Sequence, residues 1–284
     1  MRSFTPIAAA VALVSALAAG NANADSFFWA INQFQTIQKL NGDTGAVVDS
    51  FAIPGGGGSG ASVAIVGANG YYTNLGDTNI HKFDLATHAS LGIAFTINHP
   101  TAGYTNGITT DASGNLWFAD GNAGALQEYS TSGTFLGSHA FPTAASSYRD
   151  GSVVFGNNVV TNRGDQTGPY DLYHLDGTMN GALTLVTSSF ITTTASGSNG
   201  IAFNGTNFYT SDEQAHKVSK WDINGHFVSI ANLDPGSRYE NWTFASQDIR
   251  PAGVPEPATW GMMVIGFGGL GAILRRRRPQ LATA

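Results

Sequence analysis

One short pattern of strand-forming residues recurs at a nearly constant interval through the middle of the chain. Its aromatic or apolar centres fall 43 to 48 residues apart, at Phe28, Tyr72, Trp117, Val160 and Phe208. Each centre is followed by an alternating apolar and polar stretch, a turn rich in Gly, Asn, Asp or Thr, and a further apolar stretch. Alternation of this kind favours β-strands, and the turn residues separate one strand from the next.

A fourth apolar stretch precedes four of the five repeats, so the unit contains four strands. Four-stranded units of about 40–50 residues are typical of β-propeller blades. The first unit lacks its leading strand, whereas residues 240–249 form a strand left over at the end. We therefore predict an all-β, five-bladed propeller in which this C-terminal strand joins three N-terminal strands and closes the ring. Six blades are the alternative; a β-sandwich does not explain the period, and a solenoid would need shorter repeats.

The N-terminal segment has the features of a targeting signal. Residues 1–24 combine Arg2, a short apolar run and small residues at Ala22 and Ala24. This order predicts a secretory signal peptide that is cleaved after Ala24. We therefore expect the Sec translocon and signal peptidase to act on the chain, and residues 25–250 to form the propeller.

The C-terminal segment is also built for a membrane. Residues 251–257 contain three prolines, which predicts an extended linker. Residues 258–274 are uncharged and mostly apolar, and as a helix they would span about 25 Å, enough for a thin bilayer. Residues 275–284 begin with four arginines, which stay on the cytoplasmic side. The body is therefore expected outside the inner membrane.

This tail closely resembles the PEP-CTERM sorting signal of Gram-negative bacteria. The residues that carry the sorting motif are Pro255, Glu256, Pro257, Trp260, Arg275, Arg276, Arg277 and Arg278. The resemblance implies recognition by exosortase, a membrane cysteine peptidase, and cleavage near the Pro-Glu-Pro sequence. It also implies transient membrane anchoring, and then release or anchoring at the surface of bacteria that make exopolysaccharide and biofilms. The tail says nothing about the activity of the body.

Charge and cysteine content narrow the function of the body. Residues 25–254 contain eight Lys and Arg against eighteen Asp and Glu, a formal charge of −10, whereas the whole chain carries −6. An acidic surface repels phosphate backbones, so nucleic acid is not an expected partner. The chain has no cysteine and therefore no disulfides.

A polar residue stands before each of four predicted inner strands. These residues are Asn106, Asp150, Asn199 and Glu240. Because the inner strands of a propeller start at one mouth of the central channel, their side chains are expected to converge there. Carboxylate and amide oxygens suit Ca²⁺, so the four residues are a candidate metal site. The alternative is that Asn-Gly and Asp-Gly before a strand are ordinary turn residues.

The repeats also resemble known propeller families. Residues 105–120 and 198–212 are similar to the senescence-marker and gluconolactonase family, which implies a divalent metal held by Asn106, Asp150, Asn199 and Glu240. Residues 107–120 are also similar to NHL repeats and to virginiamycin B lyases. The chain departs from the first family because that family has six blades and its metal-binding Glu lies near the N-terminus.

The remaining residues give weaker indications of chemistry. The seven histidines form no His-x-x-x-His pair, and the sequence has no G-x-S-x-G elbow. Asp111, Asp120 and Asp212 are expected to cap turns, and the aromatic residues to pack between blades. The leading interpretation is a secreted, non-enzymatic propeller with a binding or structural role in the extracellular polysaccharide matrix, with a polysaccharide or a surface protein as partner. The alternative is a metal-dependent lactonase or lyase that acts at the central channel.

Overall fold

The computed structural model describes eleven segments of the chain. These are residues 27–32, 36–55, 60–74, 77–97, 105–120, 124–142, 151–162, 169–193, 200–212, 216–233 and 244–245. The chain divides into two compact units, Met1–Asp248 and Ile249–Ala284, and every described residue lies in the first. The predicted signal peptide, linker, membrane helix and basic tail lie outside the described residues. Within the described segments, no helix has the length and apolar character needed to span a bilayer.

Twenty described strands form five antiparallel sheets of four strands each, which we call blades 1 to 5. From the inner to the outer strand, blade 1 consists of β20 (Phe244–Ala245), β1 (Phe27–Asn32), β2 (Thr36–Asn41) and β3 (Val47–Ala52). Blade 2 consists of β4 (Gly60–Val66), β5 (Asn69–Asn74), β6 (Asn79–Asp84) and β7 (Ser90–Thr96). Blade 3 consists of β8 (Thr105–Thr110), β9 (Leu116–Asp120), β10 (Ala125–Tyr129) and β11 (Phe135–Ala140).

The last two blades repeat the same order. Blade 4 consists of β12 (Ser152–Phe155), β13 (Asn158–Asn162), β14 (Tyr170–His174) and β15 (Thr184–Ile191). Blade 5 consists of β16 (Ile201–Phe203), β17 (Asn207–Asp212), β18 (Lys217–Asp222) and β19 (Phe227–Asn232). The prediction of a five-bladed, all-β propeller is confirmed.

The ring closes at blade 1, where both ends of the propeller meet. The C-terminal strand β20 pairs antiparallel with β1, with Ala245 opposite Trp29 and Phe244 opposite Ala30. Each inner strand contacts the inner strands of the two neighbouring blades, and β20 also comes within 8 Å of β8 across the centre. The predicted closure by one C-terminal and three N-terminal strands is therefore confirmed, and the centre of the ring is narrow.

The hydrophobic core lies between the blades, in the five interfaces that we call seams. Each buried cluster draws its residues from two adjacent blades, and together the five clusters account for every seam of the ring. At the closing seam, for example, Phe28 of blade 1 packs on Tyr209 of blade 5, with 5.7 Å between the ring centroids. A single blade buries little by itself, so each blade depends on its neighbours for stability.

A turn joins the third strand to the outer strand in every blade and contacts the outer strand of the preceding blade. We call these five turns the latch turns. A Cβ atom added at Gly45 in blade 1 would clash with the carbonyl oxygen of Asn232 in blade 5, and one at Gly225 in blade 5 would clash with that of Phe190 in blade 4. In blade 4, the carbonyl oxygen of Met179 accepts a hydrogen bond from the Ser138 amide of blade 3 at 3.0 Å.

Blade 2 replaces glycine with histidine at this position. His88 adopts a φ of 58°, a left-handed conformation that most side chains avoid. Its ring stacks on Phe51 of blade 1 with centroids 3.7 Å apart and an interplanar angle of 8°, and its Nε2 lies 3.3 Å from Asp49. Contact with the preceding blade therefore holds the turn in place even without glycine.

The outer strands expose most of their apolar side chains. Ten large apolar residues on these strands, which we call the outer rim, are between 36% and 56% exposed: Val47, Val48, Leu91, Ile93, Phe135, Leu185, Val186, Phe227, Val228 and Ile230. Among the residues of the five outer strands, Asp49 is the only Asp, Glu, Lys or Arg.

Candidate functional site

The inner strands start at one end of the ring, which we call the mouth. Each inner strand runs antiparallel to the second strand of its blade, so the start of one meets the end of the other. Gly60 lies opposite Asn74 in blade 2, and Thr105 lies opposite Asp120 in blade 3. The topology therefore brings the described starts of the inner strands to a common end of the ring.

The described residues include one of the four predicted metal ligands. Asn106 lies in β8, next to Thr105, and the description covers its backbone. Asp150, Asn199 and Glu240 lie outside the described residues; Asp150 and Asn199 directly precede Gly151 and Gly200, which are buried at the mouth. Within the described segments, no group of three or more His, Asp or Glu side chains is placed to hold a metal ion.

Hydroxyl groups fix the inner strands at the mouth. Ser62 Oγ accepts a hydrogen bond from the Ile108 amide of the neighbouring blade at 3.0 Å. Ser211 Oγ accepts one from the Gly200 amide at 2.9 Å, and the Tyr170 hydroxyl of blade 4 donates to the Gly200 carbonyl at 2.9 Å. These bonds are buried, so they set the positions of the inner strands rigidly and would preorganise any ligand site built on them.

A second set of polar residues lies at the mouth, and of these only Asp120 and Asp212 were singled out from the sequence, as turn caps. Every second strand ends in Asn or Asp, at Asn32, Asn74, Asp120, Asn162 and Asp212. The three asparagines are buried, and Asn32 Oδ1 accepts a hydrogen bond from the Thr36 amide at 3.1 Å. The signal was present in the repeat alignment, because Asn or Asp recurs two to four residues after each apolar centre.

A cluster of acidic and basic side chains lies in blade 2, next to Asn74 of this polar set. His81 Nε2 is 3.1 Å from Asp77 Oδ2 and 3.3 Å from Asn74 Nδ2, and its ring stacks on Tyr72 at 4.9 Å. The stacking on Tyr72 leaves His81 half-buried. In the part of the chain that the structure describes, its Nε2 meets a carboxylate and an amide rather than a hydroxyl, so the cluster has no nucleophile.

The pKa values of this cluster follow from its surroundings. Burial opposes ionisation of Asp77, but hydrogen bonds from Asn79 and His81 outweigh it and lower the pKa of the carboxyl. Burial, and then the charge of Asp77, raise the pKa of Tyr72, whose hydroxyl donates to the Pro54 carbonyl at 2.6 Å. Asp77 is thus ionised and Tyr72 neutral near pH 7, which suits a structural hydrogen-bond network.

Two structural interpretations from the sequence are confirmed. Asp111 caps its turn, because its Oδ1 accepts hydrogen bonds from the Ser113 and Asn115 amides at 2.8 and 3.0 Å. The side chains of Asp120 and Asp212 lie outside the described residues. The aromatic residues Trp29, Tyr72, Trp117, Tyr209 and Trp221 are buried in seams, while Trp242 lies outside the described residues.

The C-terminal tail is recognised by comparison with protein families. Residues 253–278 match the PEP-CTERM protein-sorting motif. The matched range contains Pro255, Glu256, Pro257, Trp260 and the four arginines from Arg275. The motif indicates export, membrane anchoring through the C-terminus and then a surface or extracellular location. The molecule is therefore a secreted, exosortase-targeted protein with a β-propeller body.

The body is similar to several solved structures. A chain in the crystal structure of a nidogen–laminin complex matches with a TM-score of 0.50 and 14% identity, covering 78% of this chain and 98% of that chain. A Bacteroides caccae protein of unknown function matches at 0.49 and 12%, covering 78% and 98%; the virginiamycin B lyase of Staphylococcus aureus matches at 0.44 and 12%, covering 72% and 69%. No curated protein matches the chain by sequence. At these identities the likeness concerns the fold alone.

Proposed function

We propose that this propeller is a non-enzymatic binding protein of the cell surface or the extracellular matrix, and that its outer rim binds a protein partner there. The observation that carries the proposal is the outer rim itself, because ten large apolar side chains are exposed on strands that contain one charged residue. Exposed edge strands usually carry charges or proline that prevent pairing with other chains. An exported protein that leaves such edges open has a surface suited to a partner.

The chemistry of the outer rim favours a protein over a polysaccharide. Eight of its ten residues are aliphatic, and the aromatic members are Phe135 and Phe227. Sugars are bound through aromatic faces and polar groups, whereas aliphatic side chains and free strand edges suit another polypeptide. The matrix role predicted from the tail is therefore proposed to act through protein contacts.

The test compares Ile230→Lys with Asn224→Lys in the full chain, produced in an exosortase-containing Gram-negative host. Both changes add one positive charge to an exposed position in blade 5, but only Ile230 belongs to the outer rim. The proposal predicts that Ile230→Lys is lost from the surface and matrix fractions while Asn224→Lys is retained. Equal retention of the two variants would refute the proposal. Release of the unmodified protein by glycosidases, but not by proteases, would assign the partner as a polysaccharide.

A second candidate function is the metal-dependent lactonase or lyase predicted for the mouth. It is supported by Gly151 and Gly200, which are buried in adjacent blades and directly follow Asp150 and Asn199 in the sequence. With Ca²⁺ at about 100 times its dissociation constant, the site would stabilise the protein by roughly 2.7 kcal/mol. Thermal melts with Ca²⁺ and with chelator test this, and the shift should vanish in Asp150→Ala and Glu240→Ala. An unchanged melt excludes a tight calcium site.

We also infer that processing removes both ends of the chain. Cleavage after Ala24 and near Pro255–Pro257 would leave a product that begins two residues before Phe27 and keeps the closing strand β20. The intact mass of the mature protein, together with N-terminal sequencing, tests both sites. A product that ends before Phe244 would contradict this scheme, because it would lack the strand that closes the ring.

A further inference from the structure

One buried histidine has no role in the function proposed above. His139 lies in the outer strand β11, yet only 4% of it is exposed, and the backbone of Gly181 is the one group among the described residues that offers its ring a hydrogen bond, outside ordinary hydrogen-bond geometry. Its ring lies 5.1 Å from that of Trp117, which belongs to the buried cluster between blades 3 and 4. A buried imidazole that is this poorly paired destabilises the folded state.

The strand that carries His139 also holds the seam together. The Ser138 amide on one side of it donates to the Met179 carbonyl at 3.0 Å, and the Ala140 carbonyl on the other side accepts from the Leu183 amide at 2.8 Å. Both partners belong to the segment of blade 4 that contains its latch turn. His139 therefore sits between two hydrogen bonds that join blade 3 to blade 4.

The groups near the His139 imidazole do not offset the effect of burial on its pKa. Burial is the largest influence on the pKa of His139 and lowers it, while Asp176 and the backbone of Gly181 act in the opposite direction. Asp176 is exposed, and its Oδ1 accepts hydrogen bonds from the Thr178 amide and hydroxyl, both at 2.8 Å. The titratable side chains on the elements packed at this seam are Asp111, Glu128, Asp171, Tyr173, His174 and Asp176.

We propose that the seam between blades 3 and 4 is an acid-sensitive joint, in which protonation of His139 loosens β11 from the latch turn of blade 4. This inference goes beyond the proposed binding function. A charged imidazole between Trp117 and the blade 4 turn would need water or a partner, and opening the seam supplies water. The protein is exported, and the pH outside the cell is not buffered as it is in the cytoplasm. A seam that opens in acid would therefore respond to the surroundings of the protein.

The pH window follows from the direction of the shift. His139 binds a proton less readily in the folded state than in the unfolded chain, whose histidines titrate near pH 6.5. Its contribution to stability is therefore complete above about pH 6.5 and is lost as the pH falls below that value. Hydrogen bonds lower the pKa values of the Asp77, Asp84, Asp176 and Asp222 carboxyls, so these groups lose their contribution to stability only at more acidic pH. Burial raises the pKa of Glu128, which acts in the opposite sense.

The experiment measures thermal unfolding and hydrogen exchange of the mature protein near pH 7.5 and near pH 5, the two sides of an ordinary histidine pKa of about 6.5. The expected result is a fall in Tm of several degrees at the lower pH, with faster exchange in residues 135–141 and 175–183 than in the other seams. His139→Phe keeps a ring against Trp117 and should remove most of that fall. His226→Gln is the matched control, because the side chain of His226 is 78% exposed, and should leave the fall unchanged.

Two outcomes would overturn the joint. One is a fall in Tm that His139→Phe does not reduce; the other is acid-induced exchange that rises equally in all five seams. If His139→Phe does not fold, His139→Gln replaces it, and NMR titration of the imidazole in the unmodified protein gives a direct reading. A His139 that titrates at about 6.5, as an exposed histidine does, would exclude the proposal.

Discussion

The second and the outer strands of a blade are similar in composition and opposite in exposure. In blade 5, Phe208 and Tyr209 on β17 are fully buried, whereas Phe227 and Val228 on β19 are 56% and 51% exposed. The strand β17 has a neighbour on each edge, and its two faces pack on blades 1 and 4, but β19 has a neighbour on one edge only. Position within the blade, rather than hydrophobicity, therefore decides which apolar residues stabilise the ring.

The largest effect on the free energy of unfolding is expected for a buried phenylalanine of a second strand, compared with an exposed one of an outer strand. Phe208→Ala should reduce the free energy of unfolding by about 3–5 kcal/mol, because it opens a cavity among Phe155, Phe190 and Phe203. Phe227→Ala should cost less than about 1 kcal/mol. Denaturant unfolding of the two variants measures the difference. Equal losses would mean that β19 is as well packed as β17.

A pair of glycines separates close contact from backbone strain. Gly45 in the latch turn of blade 1 and Gly92 on the outer strand β7 both have positive φ, at 75° and 81°. Only at Gly45 would a Cβ meet another atom within 4 Å, since nothing surrounds Gly92 within that radius. Strain should cost both alanine variants roughly 1 kcal/mol, and the clash with Asn232 should add about 1–3 kcal/mol to Gly45→Ala. Chemical denaturation gives both values, and identical losses would argue against a latch at the closing seam.

The ion pair at the closing seam should have a smaller effect. Lys220 Nζ lies 2.6 Å from Asp43 Oδ1 of blade 1 and 5.6 Å from the ring centroid of Tyr209. Burial disfavours the charged Lys220, but its interactions with Asp43 and Tyr209 together outweigh burial and raise the pKa of the ammonium group. A double-mutant cycle of Lys220→Met and Asp43→Asn should give a coupling of about 0.2–1 kcal/mol that weakens in salt.

A second lysine is the control for this cycle. Lys82 lies 5.6 Å from the ring centroid of Tyr71, the same geometry that Lys220 has over Tyr209. Lys82→Met therefore removes a cation–π contact alone. If it costs as much as Lys220→Met, the ion pair with Asp43 adds nothing to closure of the ring.

The smallest effect is expected on the outer rim. Ile230→Thr should change the free energy of unfolding by less than about 0.5 kcal/mol, because the side chain is 52% exposed. Ile191→Thr is the informative counterpart, since Ile191 also belongs to an outer strand but is fully buried. Its hydroxyl would be buried, at a cost of about 1–3 kcal/mol. A strong loss in Ile230→Thr would show that the outer rim is covered in the folded protein.

The architecture was predictable because its signals are local. Alternation and turn residues recur every 43 to 48 residues, and the spare strand at 240–249 contains the observed β20, Phe244–Ala245. Aromatic residues at repeat positions also marked the seams correctly. The turn capped by Asp111 was predictable for the same reason, because its hydrogen bonds join residues within a stretch of five.

The seams themselves left little trace in the sequence. The stack of His88 on Phe51, and the hydrogen bond from Ser138 to Met179 beside His139, join neighbouring blades through residues that are about one repeat apart and follow no local pattern. The sequence also did not reveal that the outer strands are exposed. The outer strand VVDSFAI of blade 1 and the second strand GYYTNLG of blade 2 are both rich in strand-forming residues. At the candidate metal site, Asn106, Gly151 and Gly200 lie at or beside the starts of inner strands, which share one end of the ring. Asp150, Asn199 and Glu240 lie outside the described residues.

Closure by β20 also has a mechanical consequence. The chain continues from this strand to the sorting motif at 253–278, so tension on an anchored C-terminus reaches the ring through its innermost strand. Peeling β20 from β1 would break two strand pairings, Phe244 with Ala30 and Ala245 with Trp29, and would leave an unpaired edge on β1. While the tail is anchored, tension on it therefore acts directly on the strand that closes the ring. A cut near Pro255–Pro257 would remove this tension and leave the ring closed.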